Sequence, residues 1–237
     1  MKTLCVAAVV VLSLTSVCQA ASLACEKLLK PVDNDPDLRG SWYLIAISSQ
    51  SCWVSTVVSS VLWPSIEVNV TSKDTRNIYT AEYKYKFYGY CETDSEDYLY
   101  ENNTLFDVNV NSTPLGQPDE LLQSGCPDCF VVKDDYSILF LFSRRQNVTD
   151  AELKEFESQA DCLGWSKPQV FNSDHDHTNC LSVEDGDEDM SRLSSLIFER
   201  MKNTYTVQLK CFTETFYSLP DTAFKWTQQS WSNFFSF

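Results

Sequence analysis

Between Leu38 and Ser143 apolar residues recur at every second position in short runs separated by turn-forming residues, the pattern of half-buried β-strands. Leu38 to Ser48 predicts a first strand, entered through Gly40-Ser41-Trp42, where a glycine turn feeds a strand whose first inward side chain is a large aromatic plug. Pro64 to Thr71 carries Ile66, Val68 and Val70 in alternation and predicts a second, ended by Thr71-Ser72-Lys73-Asp74. Ile78 to Tyr88 predicts a third. One of its faces holds Tyr79, Ala81, Tyr83, Tyr85 and Phe87, the other Ile78, Thr80, Glu82, Lys84 and Lys86, and the period leaves open which points inward. Tyr90 to Tyr100 and Thr104 to Val110 predict a fourth and a fifth. Asn111 to Gly125, with Pro114, Gly116 and Pro118, reads as loop with a short strand near Leu121. Cys129 to Val132 and Ser137 to Ser143 form a hairpin around Lys133-Asp134-Asp135-Tyr136. Seven or eight antiparallel strands without long crossovers close into a barrel or stack as a sandwich.

The period then changes. Thr149 with Glu152 three residues on is a capping box, and Leu153, Phe156, Ala160 and Leu163 follow at helical spacing before Gly164, a C-terminal stop. A single helix after a run of strands lays its apolar stripe on the outside of the sheet. Further on, Glu184 to Asp189 is an acidic linker, and Leu193, Leu196, Ile197 and Met201 have helical spacing. Past Pro220, Phe224, Trp231 and Phe235 share one side of a terminal helix, with Trp226 and Phe234 beside it. Few basic residues accompany these aromatics, so packing against the protein is favoured over contact with a membrane.

Lys2, the apolar run Leu4 to Val17 and the small residues at Ala20 and Ala21 read as a secretory signal over residues 1–20. Residues 21–180 are then the strands and helix, and 181–237 an acidic linker with an aromatic, helical extension. Of ten cysteines, Cys5 and Cys18 leave with the signal, and the remaining eight form a disulfide framework in an oxidising, extracellular compartment. Sequons at Asn69, Asn102, Asn111 and Asn147 agree with secretion. A net charge of −15 repels phosphate over the whole surface, which argues against nucleic acid and for cationic ligands over anionic ones.

Gly40-Ser41-Trp42, the all-β middle, the late helix, Cys25 ahead of the first strand, Cys91 followed by the Asn102 sequon, and Glu155-Phe156 leading to Asp161-Cys162-Leu163 and Cys180 carry a resemblance. The chain resembles a lipocalin of the α1-acid glycoprotein (orosomucoid) type, whose fish relatives bind tributyltin or saxitoxin and tetrodotoxin. That likeness implies an eight-stranded antiparallel up-and-down barrel with one helix packed outside it, and disulfides Cys25–Cys162 and Cys91–Cys180. It also implies an arginine, Arg144 or Arg145, against Trp42. Asp134-Asp135-Tyr136 matches only approximately a turn common in the family. Cys52, Cys126, Cys129 and Cys211 have no counterparts in the mammalian pattern, so three pairings stay open for them, among them Cys126–Cys129 with Cys52–Cys211.

An eight-stranded barrel has room for one small ligand. Trp42, Leu44, Tyr83, Tyr85, Leu105, Asp107, Phe140 and Phe142 are candidates for its wall, the last four through the resemblance. If Glu82 and Lys84 also face inward, Glu82 and Asp107 place two carboxylates among aromatic rings, a setting for a lipophilic cation. The competing arrangement turns Glu82 and Lys84 to solvent and Tyr83 and Tyr85 to the cavity. The function expected is reversible carriage of a small hydrophobic or amphiphilic, cationic molecule such as a toxin, xenobiotic or lipid. The alternative is an acute-phase or defence protein acting through protein or membrane contacts. Some lipocalins isomerise a prostaglandin with a barrel cysteine, but the cysteines here read as paired, so neither an enzymatic step nor a cofactor is expected. His175-Asp176-His177 with Asp174 holds the only two histidines of the chain, and no metal is expected there.

Overall fold

The computed structural model describes residues 23–33, 36–171, 174–178, 180–181 and 187–217. The expected signal and the terminal aromatics from Phe224 onward lie outside those residues. In chain order the elements are β1 (Gly40–Ser49), α1 (Cys52–Val57) continuing as a π-helical turn (Val58–Leu62), β2 (Ser65–Ser72), β3 (Ile78–Phe87), β4 (Tyr90–Glu101), β5 (Thr104–Val108), β6 (Pro114–Leu122), β7 (Cys129–Lys133), β8 (Ile138–Ser143), α2 (Asp150–Leu163), β9 (Gln169–Val170) and α3 (Asp187–Tyr217).

Eight strands pair antiparallel with their chain neighbours, and β1 closes the ring by pairing both β8 and β2. It serves both by dividing its length. Gly40 to Tyr43 run against Val70 to Glu67, while Tyr43 to Ser49 run against Ser143 to Ile138, with a bulge between Leu44 and Ala46 that bends the strand from one partner to the other. The edge of β1 left free past Tyr43 is taken by β9 at Ala46 and Ile47. Closing the ring through β1 leaves neither β2 nor β8 as a free edge strand.

Trp42 stoppers the lower end. Its Nε1 donates to the Leu38 carbonyl at 2.7 Å, Phe130 meets it edge-on at 4.4 Å, and the Arg144 guanidinium lies 4.0 Å above its ring. Of the two arginine candidates Arg144 is therefore the one; Arg145 turns instead to Asp128 and Glu152. Gly40 sits at φ +99°, and a Cβ there would come within 2.8 Å of Arg144 Nη1, so the glycine before the tryptophan makes room for the arginine that covers it.

Outside, Phe156 and Ala160 of α2 bury against Ile45, Ala46, Leu122, Val131, Leu139 and Leu141. The Thr149–Glu152 capping box starts this helix and Gly164, at φ +70°, ends it. Buried Gln159 uses its amide to hold the Leu28 and Gln123 carbonyls, at 2.9 and 2.8 Å. The disulfides are Cys25–Cys162, Cys91–Cys180, Cys52–Cys211 and Cys126–Cys129, so each described cysteine is bonded to another and none offers a thiolate.

Three stretches differ from the sequence expectation. Asn111 to Gly125 holds the nine-residue strand β6, which includes the short strand expected near Leu121 but reaches back to Pro114 through what was expected to be loop. The strand tolerates Gly116 and Pro118 because the β5–β6 register jumps between Asp119 and Leu115, and pairing to β7 begins only at Glu120, so no ladder bond is asked of Pro118. Residues 52–62, between the first two expected strands, are helical, although Val, Ser and Thr favour helix poorly. Tertiary bonds override that preference. Cys52–Cys211 ties α1 to α3, Arg200 Nε donates to the Ser60 carbonyl at 2.8 Å, and the Tyr88 hydroxyl donates to the Val61 carbonyl. α3 itself starts at Asp187, inside the acidic run, and is 31 residues long, well beyond the Leu193–Met201 stretch.

Candidate functional site

Inside the barrel lies a chamber of about 440 Å³, lined from the strands upward. Pairing register decides which side chains reach it. Trp42 faces Val68, Val68 faces Tyr83, Val70 faces Ala81, and Tyr79 faces Tyr98, so the aromatic face of β3 is the inner one. Tyr83 and Tyr85 stack 5.8 Å apart at 8°, and across from them Phe130 and Phe142 are 5.1 Å apart. Leu44, Ile66, Val68, Leu105 and Phe140 supply the rest of the apolar wall.

Of the expected wall residues, Leu44, Tyr83, Tyr85, Leu105, Asp107, Phe140 and Phe142 border the chamber. Three do not. Glu82 and Lys84 lie on the outer face of β3, because turning them inward would strip two charges of water while exposing two tyrosines. Trp42 is buried at the base, beneath the chamber. The sequons sit outward: Asn102, Asn111 and Asn147 are exposed, and Asn69 is half-buried on β2 beside Glu82.

The carboxylates around the chamber are more numerous than the sequence suggested. Glu96 from β4, Asp107 from β5, Asp119 from β6, and Asp134 and Asp135 from the β7–β8 turn all border it, and among the described residues no lysine, arginine or histidine does. Burial, then the charges of Glu96 and Asp135, raises Asp107 above the usual carboxylate range. Asp119 is pushed up to about 6 by burial and by Asp134, Asp107 and Asp135. Burial also raises Asp134, although the Ile138 N–H, 2.6 Å away, opposes it. Such crowding costs free energy that a cation in the chamber would return. The period-two pattern alone could have found Glu96, which lies in phase with Tyr98; Asp119, Asp134 and Asp135 need the register.

The Tyr98 hydroxyl donates to Glu96 Oε2 at 2.5 Å, and Tyr83 and Tyr98 share a hydrogen bond at 2.8 Å. With the Tyr98 proton committed to Glu96, Tyr83 is the donor in that second bond. Burial raises both phenols, which therefore stay neutral at ordinary pH. The Tyr83 oxygen is left with lone pairs only, so carboxylates and phenol alike ask a ligand for donors.

Val58, in the Cys52–Leu62 lid formed by α1 and its π-helical turn, packs against Leu44, Ile47 and Phe171, as do Ile66, Ile138 and Phe140, on the β1–β2–β8 side of the barrel. The acids stand on the β4–β7 side. Among the described residues no helix is long and apolar enough to cross a membrane. The clusters close enough to share a metal ion, Cys91–His177–Cys180 and Cys126–Asp128–Cys129, each contain a pair of sulfurs already bonded to one another. His175 is buried instead against Tyr43, with Ser65 Oγ 2.9 Å from its Nδ1.

No family model matches the chain, and no curated protein does. Among solved structures it is similar to one titled "The Siderocalin Ex-FABP functions through dual ligand specificities", at 14% identity and a TM-score of 0.47, over 63% of this chain and 100% of that one. At that overlap the likeness assigns neither a family nor a ligand.

Proposed function

We propose that this chain is a secreted carrier of the lipocalin kind, of the orosomucoid type, that reversibly holds a small amphiphilic cation in its barrel without transforming it. One observation carries the reading: an aromatic and aliphatic chamber bordered by five carboxylates and, among the described residues, by no basic side chain. An apolar ligand body gains from the wall, at about 25 cal/mol per Å² buried. Its charge gains from the acids and from the stacked tyrosine faces. A chamber of about 440 Å³ suits a ligand of drug size. Four disulfides and exposed sequons support an extracellular location, which sequencing of the mature N-terminus and the mass lost on glycosidase treatment would check.

Calorimetric titration with 1-naphthylmethylammonium and 1-naphthylacetate tests the charge preference. The ammonium binds at least tenfold tighter on this reading; tighter binding of the carboxylate defeats it. The alternative, a defence or acute-phase protein acting through protein or membrane contacts, has in its favour the exposed Phe198, Met201, Tyr205 and Leu209 along α3. Serine at Phe198 and Tyr205 leaves naphthylmethylammonium binding unchanged if the carrier reading holds.

A further inference from the structure

The barrel wall is not continuous above the Tyr98–Asp107 pair. β4 runs from Tyr90 to Glu101 but pairs with β5 only from Tyr98 onward, while β5 stops at Val108 and turns at Asn109. Higher on the same edge of β4, Tyr90 bridges to Leu181 and the Cys91 N–H donates to the Leu181 carbonyl at 3.0 Å. Residues 92–97 between them have no ladder partner on that side among the described residues. The two strands part there.

A second cavity, of about 600 Å³, occupies the parting. It is bordered by Lys73, Thr80, Ser95 and Asp97 on the outer face and by Val108, Asn109 and Val110 at the β5–β6 turn. Lys73 and Thr80 are both engaged with Asp97, so the only cation there is already paired. Glu96 and Asp107 border both this crevice and the inner chamber and stand in the doorway between them. On the β1–β2–β8 side of the barrel the lid is held down by Cys52–Cys211, Arg200 and Tyr88.

We infer that the site is two-part: the ligand is an elongated amine whose apolar body fills the chamber, whose cationic centre sits between Glu96 and Asp107, and whose second, donor-bearing arm leaves through the parted wall into the crevice. Carboxylates alone would not assign this place; the broken ladder and the shared doorway do. The arm is a hydrogen-bond donor because the crevice offers it the Ser95 and Thr80 hydroxyl oxygens and the carbonyls along the peptide edge of residues 92–97, while the Asn109 amide oxygen is already taken by the Asn111 and Thr113 N–H groups. A ligand with no arm would leave the crevice to water.

This inference rests on the carrier reading and deepens it. Two probes separate the two: 1-naphthylmethylammonium, which reaches only the doorway, and its N-(3-aminopropyl) derivative, which carries a second ammonium on an arm. Calorimetry on the full-length, disulfide-intact protein gives the affinity of each for wild type and for Ser95→Trp, which fills the crevice from an exposed strand position without entering the chamber. We expect the arm to tighten binding to wild type by about tenfold or more, the effect of a charge-assisted hydrogen bond. Ser95→Trp abolishes that advantage while changing the short probe by less than about twofold, and Asp107→Asn weakens both probes. Equal affinity of the two probes for wild type, or an arm advantage that survives both Ser95→Trp and Asn109→Trp, overturns the two-part site and leaves the carrier reading standing. Failure of both probes to bind wild type overturns both.

Discussion

Asp119 is where binding and stability pull in opposite directions. Burial, then the charges of Asp134, Asp107 and Asp135, lifts its pKa from an ordinary 3.8 to about 6, against one backbone hydrogen bond from Asp135. A carboxyl raised by folding binds its proton more tightly in the native state, so its contribution to stability is full below about pH 4 and is lost as pH rises to about 6. A displacement of that size corresponds to about 3 kcal/mol. The side chain is only half-buried, and solvent screening reduces the destabilisation at neutral pH to about 1.5 kcal/mol. Asp119→Asn keeps an oxygen to accept the Asp135 N–H and removes the charge. It should stabilise the protein by about 1.5 kcal/mol at pH 7.5, equivalent to a rise of about 3–6 °C in Tm, and by almost nothing at pH 4. Urea unfolding with the disulfides intact, at both pH values, measures the difference. The same substitution should weaken naphthylmethylammonium by about tenfold, because the crowded charge that destabilises the empty barrel is what a cation neutralises. Destabilisation at pH 7.5, or an equal effect at the two pH values, would refute the reasoning.

Other outcomes follow from the same contacts. Naphthylmethylammonium affinity should fall as pH drops through about 6, where Asp119 takes up its proton, and a flat profile in dialysis between pH 7.5 and 4.5 would contradict that. Burial holds His175 and His177 below the usual histidine range, so the unfolded chain protonates first as pH falls through about 6.5 and stability declines there. In an Asp119→Asn background, where the carboxyl with the large opposing shift is gone, the urea midpoint should drop from pH 7 to 5.5. Trp42→Ala opens the base and should cost about 3–5 kcal/mol, read by thermal unfolding, whereas Arg145→Ala, away from the ring, costs less than half as much. Cys25–Cys162 closes a loop of 137 residues and Cys126–Cys129 one of 3, so paired serine substitutions should cost about 5 and about 1.6 kcal/mol respectively.

The strands that close the barrel and the α2 helix were legible because each carries its own period: Ile66, Val68 and Val70 alternate whatever they pack on, and Thr149 with Glu152 caps a helix by local bonds alone. The inner face of β3 was not, since Tyr83 and Lys84 alternate equally well in either orientation and only the cost of burying Glu82 and Lys84 decides. β6 was hidden by Pro118 and Gly116, whose meaning depends on a jump in a neighbour's register, and α1 by a β-branched sequence held helical from outside by Arg200, Tyr88 and Cys211. The candidate site was half visible. Phe140 and Asp107 come from the resemblance and Tyr85 from one of the two faces that strand phase leaves open, but Asp119 and Asp134 come from segments that read as loop and turn, and meet Glu96 only once the ring is closed.

Protein recovered from its natural fluid, denatured, and its extract weighed by mass spectrometry would name the occupant. A small amine or guanidine with an apolar body, released on acidification, is what an acid-rimmed aromatic chamber requires; a fatty acid or other carboxylate in its place would contradict the account.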